Sequence, residues 1–187
     1  MPGSWGNARK GEVFLVSGHT GSAGVLSIVA WRLSRQGFRV HLLAPPPGRR
    51  GALEGLCRTV ARRGDPAVSS WLLGYGIGGL FARGLAERPE LGSRLRGIVT
   101  LGTPHRPTLA YPWRFWFRRF SARTTLGPRA PRDVEAVVLF STFDASLVPL
   151  DSGYWPGAFH IRVHNVGHFG LLFSARAFRL VREQMEA

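Results

Sequence analysis

Cysteine is almost missing from this 187-residue chain: Cys57 stands alone, which excludes an internal disulfide and leaves folding to the core. Lysine is nearly missing too. Lys10 is the one lysine among 25 basic residues, and with only 11 acidic residues the formal charge is +14. No stretch approaches the roughly 18 consecutive apolar residues of a membrane span. The first ten residues, Met1 to Lys10, are polar and lead straight into a strand, so no secretory signal is expected and a cytoplasmic location is. What is present, 44% hydrophobic and 19% charged residues, is the composition of an ordinary globular protein, and the length suits one domain spanning 1–187 with a three-layer core.

Arginine together with alanine, glycine and proline is the composition of a GC-rich genome, and such a bias alone accounts for much of the charge. The arginines are nevertheless uneven. Between Leu91 and Arg132 there are nine of them and no acid, which predicts a locally positive surface.

Along the chain, short apolar runs alternate with helical spacing. Glu12 to Ser17 is a strand that ends in a glycine turn, followed by a helix from about Val25 to Gln36 and a stop at Gly37. Arg39 to Ala44 is a second strand, with a helix after it through Leu53, Leu56, Cys57 and Val60. Ala67 to Leu73 is a third, followed by a helix over Ile77 to Arg88. Gly97 to Leu101, Ala136 to Phe140 and Phe159 to Val163 are further strands, and Ser174 is placed to cap a closing helix. The fold class is therefore α/β: a mostly parallel sheet of about six strands with helices on both faces and a ligand site at the carboxyl ends of the strands. The irregular segment 103–133 is too long for an ordinary connection. Within it Trp113, Trp116, Phe117 and Phe120 alternate with Arg114, Arg118 and Arg119, giving one aromatic and one basic flank. That segment is a lid over an apolar pocket, a contact for an anionic membrane surface, or core beneath a long loop.

Residues 72–83 run from an apolar strand through a glycine turn into a helix, with Gly74, Gly76 and Gly78 at alternate positions. A Gly-x-Ser-x-Gly elbow lifts a serine hydroxyl clear of a sheet on such a turn. Here the central position is Gly76, which has no side chain. Four other segments accompany it: Leu15 to His19, Leu101 to Arg106, Ser141 to Pro149 and Val166 to Leu172. Together they resemble the α/β-hydrolase superfamily, in particular compact bacterial lipases and esterases, over most of the chain apart from the first ten residues and the aromatic-arginine segment. The resemblance implies His168 as general base, Asp144 as its orienting carboxylate, the amides of His19 and Ile77 as oxyanion donors, and Gly76 in the nucleophile's place. The order elbow, acid, histidine is the one this fold uses. Asp151 is the competing carboxylate. The implied ligand is a small-molecule or lipid ester with an apolar acyl group. Neither metal nor organic cofactor is implied, because this chemistry needs only side chains and amides. His105 and Arg106 are expected to hold their loop by backbone contacts, and Cys57 to be core.

Three explanations of Gly76 stand open at this point: a non-catalytic descendant serving as a lipid-surface or protein-interaction module, a deliberately disarmed variant, and hydrolysis by water that His168 activates. Two rivals fail on the sequence. Gly74, Gly76 and Gly79 spell a dinucleotide-binding pattern, yet the next strand ends in Gly102-Thr103-Pro104 without the carboxylate that would hold a ribose. The turn Ser17 to Gly24 is similar to that of short-chain dehydrogenases, but nothing downstream continues that pattern. The charge alone permits nucleic acid, no recognised motif supports it, and none is expected as a partner.

Overall fold

The computed structural model describes residues 4–18, 24–45, 51–110, 115, 118 and 126–187. Seven strands form one sheet: β1 (Ser4–Trp5), β2 (Glu12–Val16), β3 (Arg39–Leu43), β4 (Ser70–Tyr75), β5 (Leu95–Leu101), β6 (Glu135–Ser141) and β7 (Phe159–Val163), in the order β1-β3-β2-β4-β5-β6-β7. All neighbours are parallel except β1, which runs antiparallel to β3. The helices are α1 (Ser27–Arg35), α2 (Ala52–Arg63), α3 (Gly78–Ala86), the single turn α4 (Gly170–Phe173) and α5 (Ala175–Glu186).

The central strands β2 and β4 are buried on both faces, and the period-two alternation of strand side chains sorts the sheet's residues between two cores. Leu15, Leu73, Val99 and Val137 face α1 and α5, meeting Leu33, Val181 and Met185. Phe14, Leu72, Ile98 and Val138 face the other way, against Leu53, Leu56 and Val60 of α2 and Leu85 of α3. Ser174 caps α5 as its sequence predicts, its hydroxyl accepting from the Ala177 amide at 3.2 Å.

The structure adds detail to the sequence reading in two places. The sheet, expected to have about six strands, has seven. The extra one, β1, is two residues long and lies in the polar amino-terminal stretch, where no hydrophobic alternation marks it; backbone pairing of Ser4 with His41 and Trp5 with Val40 makes it a strand. The third predicted strand starts at Ser70, three residues later than Ala67. Asp65 delays it: its carboxylate accepts from the Ala67 amide at 2.9 Å and its carbonyl from the Val68 amide at 3.1 Å, forming a turn.

The registers align the carboxyl ends of the central strands. Val16 lies beside Gly74, Tyr75 beside Leu101, and Leu101 beside Leu139. The elbow after β4 and the loops after β5 and β6 therefore open on the same end of the sheet.

Candidate active site

Gly76 follows β4 directly and is buried. Its amide donates to the Leu101 carbonyl at 2.9 Å and its carbonyl accepts from the Gly79 amide at 3.1 Å, so the chain turns at this residue into α3. Its φ is +54°, the left-handed conformation that glycine adopts freely and other residues adopt under strain. The next turn is pinned by contact: a Cβ on Gly78 would lie 2.1 Å from the Val16 carbonyl oxygen. Ile77 is the N-cap of α3, which has no acidic residue in its first turn and no side-chain cap. His19, the other predicted oxyanion donor, lies outside the described residues.

Asp144 and His168 meet at this end of the sheet. Nδ1 of His168 is 3.0 Å from each carboxylate oxygen of Asp144, and the two side chains are 0% and 9% exposed, aspartate first. The loop after β6 sets the carboxylate, and the loop between β7 and α4 carries the histidine, so the pair spans the two last strands. Tyr75 lies against the imidazole, its ring centroid 4.6 Å away, and Phe169 meets it edge-on at 5.8 Å. The Tyr75 hydroxyl is buried without a hydrogen-bond partner among the described residues. Burial first, and the charge of Asp144 second, push its ionisation above the ordinary phenol value.

Asp151 is excluded as the acid of the pair. Its side chain is 67% exposed and stands 3.8 Å from Arg106. Arg106 also covers the Tyr154 ring at 4.6 Å and donates its amide to the Ser152 carbonyl at 2.8 Å, in keeping with a loop-holding role. His105 is stacked on Trp155 at 4.9 Å with Nε2 3.0 Å from the Thr100 hydroxyl. Burial, then the neighbouring Arg83 and His160, hold its ionisation well below the usual imidazole value, so it is neutral near pH 7. Cys57 is half-buried in α2 and takes no part in the site.

One determinant of the loop is not legible from local sequence. Arg83, buried on α3, pairs with Glu87 at 3.5 Å, donates to the carbonyls of His105 (3.3 Å) and Gly127, and lies over Trp155 at 5.0 Å. Glu87 in turn accepts from the Gly127 amide at 2.9 Å. Both described ends of segment 103–133 are thus tied to one helix. Arg83→Met is expected to remove about 2–4 kcal/mol, because it leaves Glu87 without its cation and two carbonyls without their donor. Thermal unfolding would read this as a fall of roughly 5–15 °C; a change below about 1 °C would refute the anchoring role. Trp113, Trp116 and Phe117 lie outside the described residues. Phe115 and Arg118 of the same segment are helical and exposed.

No family model and no curated protein matches the sequence. Solved structures do match the whole fold. The lipase BlEst2 of Bacillus licheniformis in mature form is similar with a TM-score of 0.73 at 13% identity, covering 99% of this chain and 96% of that one. The monoacylglycerol lipase of Paleococcus ferrophilus is similar with a TM-score of 0.67 at 14% identity, covering 98% and 97%. The chain has the α/β-hydrolase fold. A third neighbour, the type II thioesterase YbtT of the yersiniabactin pathway, has a TM-score of 0.63 at 15% identity and covers all of this chain and 98% of its own. Neighbours with this fold include lipases, carboxylesterases and a thioesterase. Within the α/β-hydrolase fold, Gly76 stands at the strand-to-helix elbow and the Asp144–His168 pair lies beyond the following strands, in that chain order. Among the described residues no cluster of three or more His, Cys, Asp or Glu is placed to hold a metal ion, and no helix is long and apolar enough to cross a membrane.

Proposed function

We propose that this chain binds carboxylic esters with an apolar acyl group beside Asp144 and His168, and that Gly76 keeps its hydrolytic turnover far below that of a serine enzyme. The observation that carries this reading is a buried, bidentate Asp144–His168 pair kept intact on the fold shared by ester-cleaving neighbours, beside an elbow that retains its turn but has no nucleophile. With no hydroxyl at position 76, no acyl-enzyme forms. The remaining route is direct attack by water: His168 takes the water proton, Asp144 stabilises the imidazolium, the amides of His19 and Ile77 hold the oxyanion, and His168 returns the proton to the departing alcohol. Sites of this kind without their serine retain about 10³- to 10⁴-fold catalysis over water. Hydrolysis of a short and a medium acyl ester by the chain and by its Gly76→Ser variant tests the reading. A folded serine variant without activity refutes it.

A second reading, a non-catalytic module docking on a lipid surface or a protein, is favoured by one observation. Leu109, Phe143 and Phe169 are 73%, 67% and 63% exposed, and they lie on the loops that carry or adjoin the pair, in a chain of charge +14. Apolar groups exposed together mark contact surfaces. On this reading the chain sediments with anionic vesicles at low salt and is released as salt rises. Absence of binding at low salt removes the lipid surface.

A further inference from the structure

We propose that Ser146 is a positioning residue of this site, its hydroxyl held against both Asp144 and His168 so as to fix the carboxylate in place and keep the imidazole in the tautomer with its proton on Nδ1. The inference rests on the reading of those two residues as a base and its orienting acid. Nothing in the family resemblance singles Ser146 out, and it lies on the side of the imidazole away from the elbow's chemistry.

Ser146 is 1% exposed. Its Oγ is 2.5 Å from Asp144 Oδ1, 3.0 Å from His168 Nδ1 and 3.5 Å from the Gly102 carbonyl, and its amide donates to the same Oδ1 at 2.9 Å. A hydroxyl has one proton to give. The carboxylate oxygen, at 2.5 Å and charged, is the better acceptor than a carbonyl at the edge of hydrogen-bond range. With that proton committed, a lone pair of Oγ faces Nδ1. The histidine nitrogen then meets three acceptors, two carboxylate oxygens and one hydroxyl oxygen, and only a protonated Nδ1 fits.

The carboxylate needs this partner. Its side chain is wholly buried, and a buried charge is tolerated only when its lone pairs are satisfied. Ser146 supplies two of the donors to Oδ1, and His168 supplies the third across both oxygens. On the far side space is closed: a Cβ on Gly102, whose φ is +56°, would come within 2.6 Å of Asp144 Oδ2 and 2.9 Å of His168 Nδ1. Of the elements packed on the imidazole, β4 brings the neutral phenol of Tyr75, the loop after β6 brings Asp144, and the turn into α4 brings Phe169. Among these described neighbours Asp144 carries the charge, and the donors on that carboxylate fix where its oxygens stand relative to Nδ1.

Proton-nitrogen correlation spectra of the imidazole in ¹⁵N-labelled protein test this without any turnover. In the unmodified chain the neutral imidazole is expected to carry its proton on Nδ1; an Nε2–H tautomer would overturn the proposal. Ser146→Ala is expected to let an Nε2–H form appear beside the Nδ1–H form, since the hydroxyl donor on Oδ1 and the oxygen facing Nδ1 are both lost. Ser146→Thr keeps a hydroxyl and restores the single Nδ1–H form. In the Gly76→Ser background, Ser146→Ala is expected to lower kcat by roughly 10- to 100-fold with KM little changed. An alanine variant whose tautomer and kcat both match the parent would mean that Ser146 only fills space. Should the alanine variant not fold, Ser146→Cys, which keeps the side-chain shape and weakens both contacts, is read in the same spectra: an added Nε2–H form supports the proposal and a spectrum matching the parent overturns it. If Gly76→Ser never cleaves esters while the imidazole shifts appear as described, the hydrolase reading fails and the role of Ser146 stands.

Discussion

Gly76→Ser is expected to raise kcat/KM for a medium-chain nitrophenyl ester by at least about 10³-fold over the unmodified chain, by restoring the covalent route that one hydroxyl opens. The position favours this outcome. The turn is already formed, with the Gly76 amide on the Leu101 carbonyl and the Gly79 amide on the Gly76 carbonyl, so a side chain added there starts from the elbow geometry and needs no refolding of the loop. The same substitution places a non-glycine residue at φ +54°. It is expected to lower stability by about 1–2 kcal/mol, seen as a fall in Tm of a few degrees. Activity gained together with stability lost is the signature of a nucleophile set on a strained turn, and a folded variant with unchanged turnover would show that position 76 is not the missing part.

In that background Asp144→Asn is expected to remove about 10³- to 10⁴-fold of kcat with little effect on folding. The direction follows from the hydrogen bonds already present. Ser146 donates both its amide (2.9 Å) and its hydroxyl (2.5 Å) to Oδ1, which fixes that atom of the asparagine as the acceptor. The amide nitrogen is left facing His168 Nδ1, where the carboxylate oxygen Oδ2 stood at 3.0 Å. An N–H there demands a lone pair on Nδ1 and drives the imidazole proton to Nε2, the tautomer that cannot take a proton from serine. His168→Ala in the same background removes the base itself and is expected to fall as far. A loss below about tenfold for Asp144→Asn would place the orienting acid elsewhere, and Asp151, exposed beside Arg106, has no geometry to fill that place.

Much of this site was legible in the sequence because its parts sit at fixed points of a chain order. The strand before the elbow and the helix after it follow from local pattern, whereas the Asp144 and His168 segments are what the resemblance to a family implies. The choice between Asp144 and Asp151 needed three dimensions: each carboxylate sits near a strand end, and burial separates them. Ser146 carries its signal two residues after Asp144, a hydroxyl able to fold back on an aspartate, but serines at such positions serve many loops equally well. Arg83 was hidden for another reason. Its i,i+4 partner Glu87 is visible on one helix, whereas its bond to the Gly127 carbonyl joins residues 44 apart. The strand β1 escaped because backbone pairing with β3, not apolar alternation, defines it.

The most direct measurement is covalent labelling with an alkyl phosphonate ester, which reacts with a serine activated by a histidine. Intact mass and peptide mapping of the Gly76→Ser variant should find one phosphonyl group on residue 76, none on the unmodified chain, and none on Gly76→Ser combined with His168→Ala. A folded Gly76→Ser variant that stays unlabelled would contradict the account, and so would a label on the unmodified chain that His168→Ala abolishes.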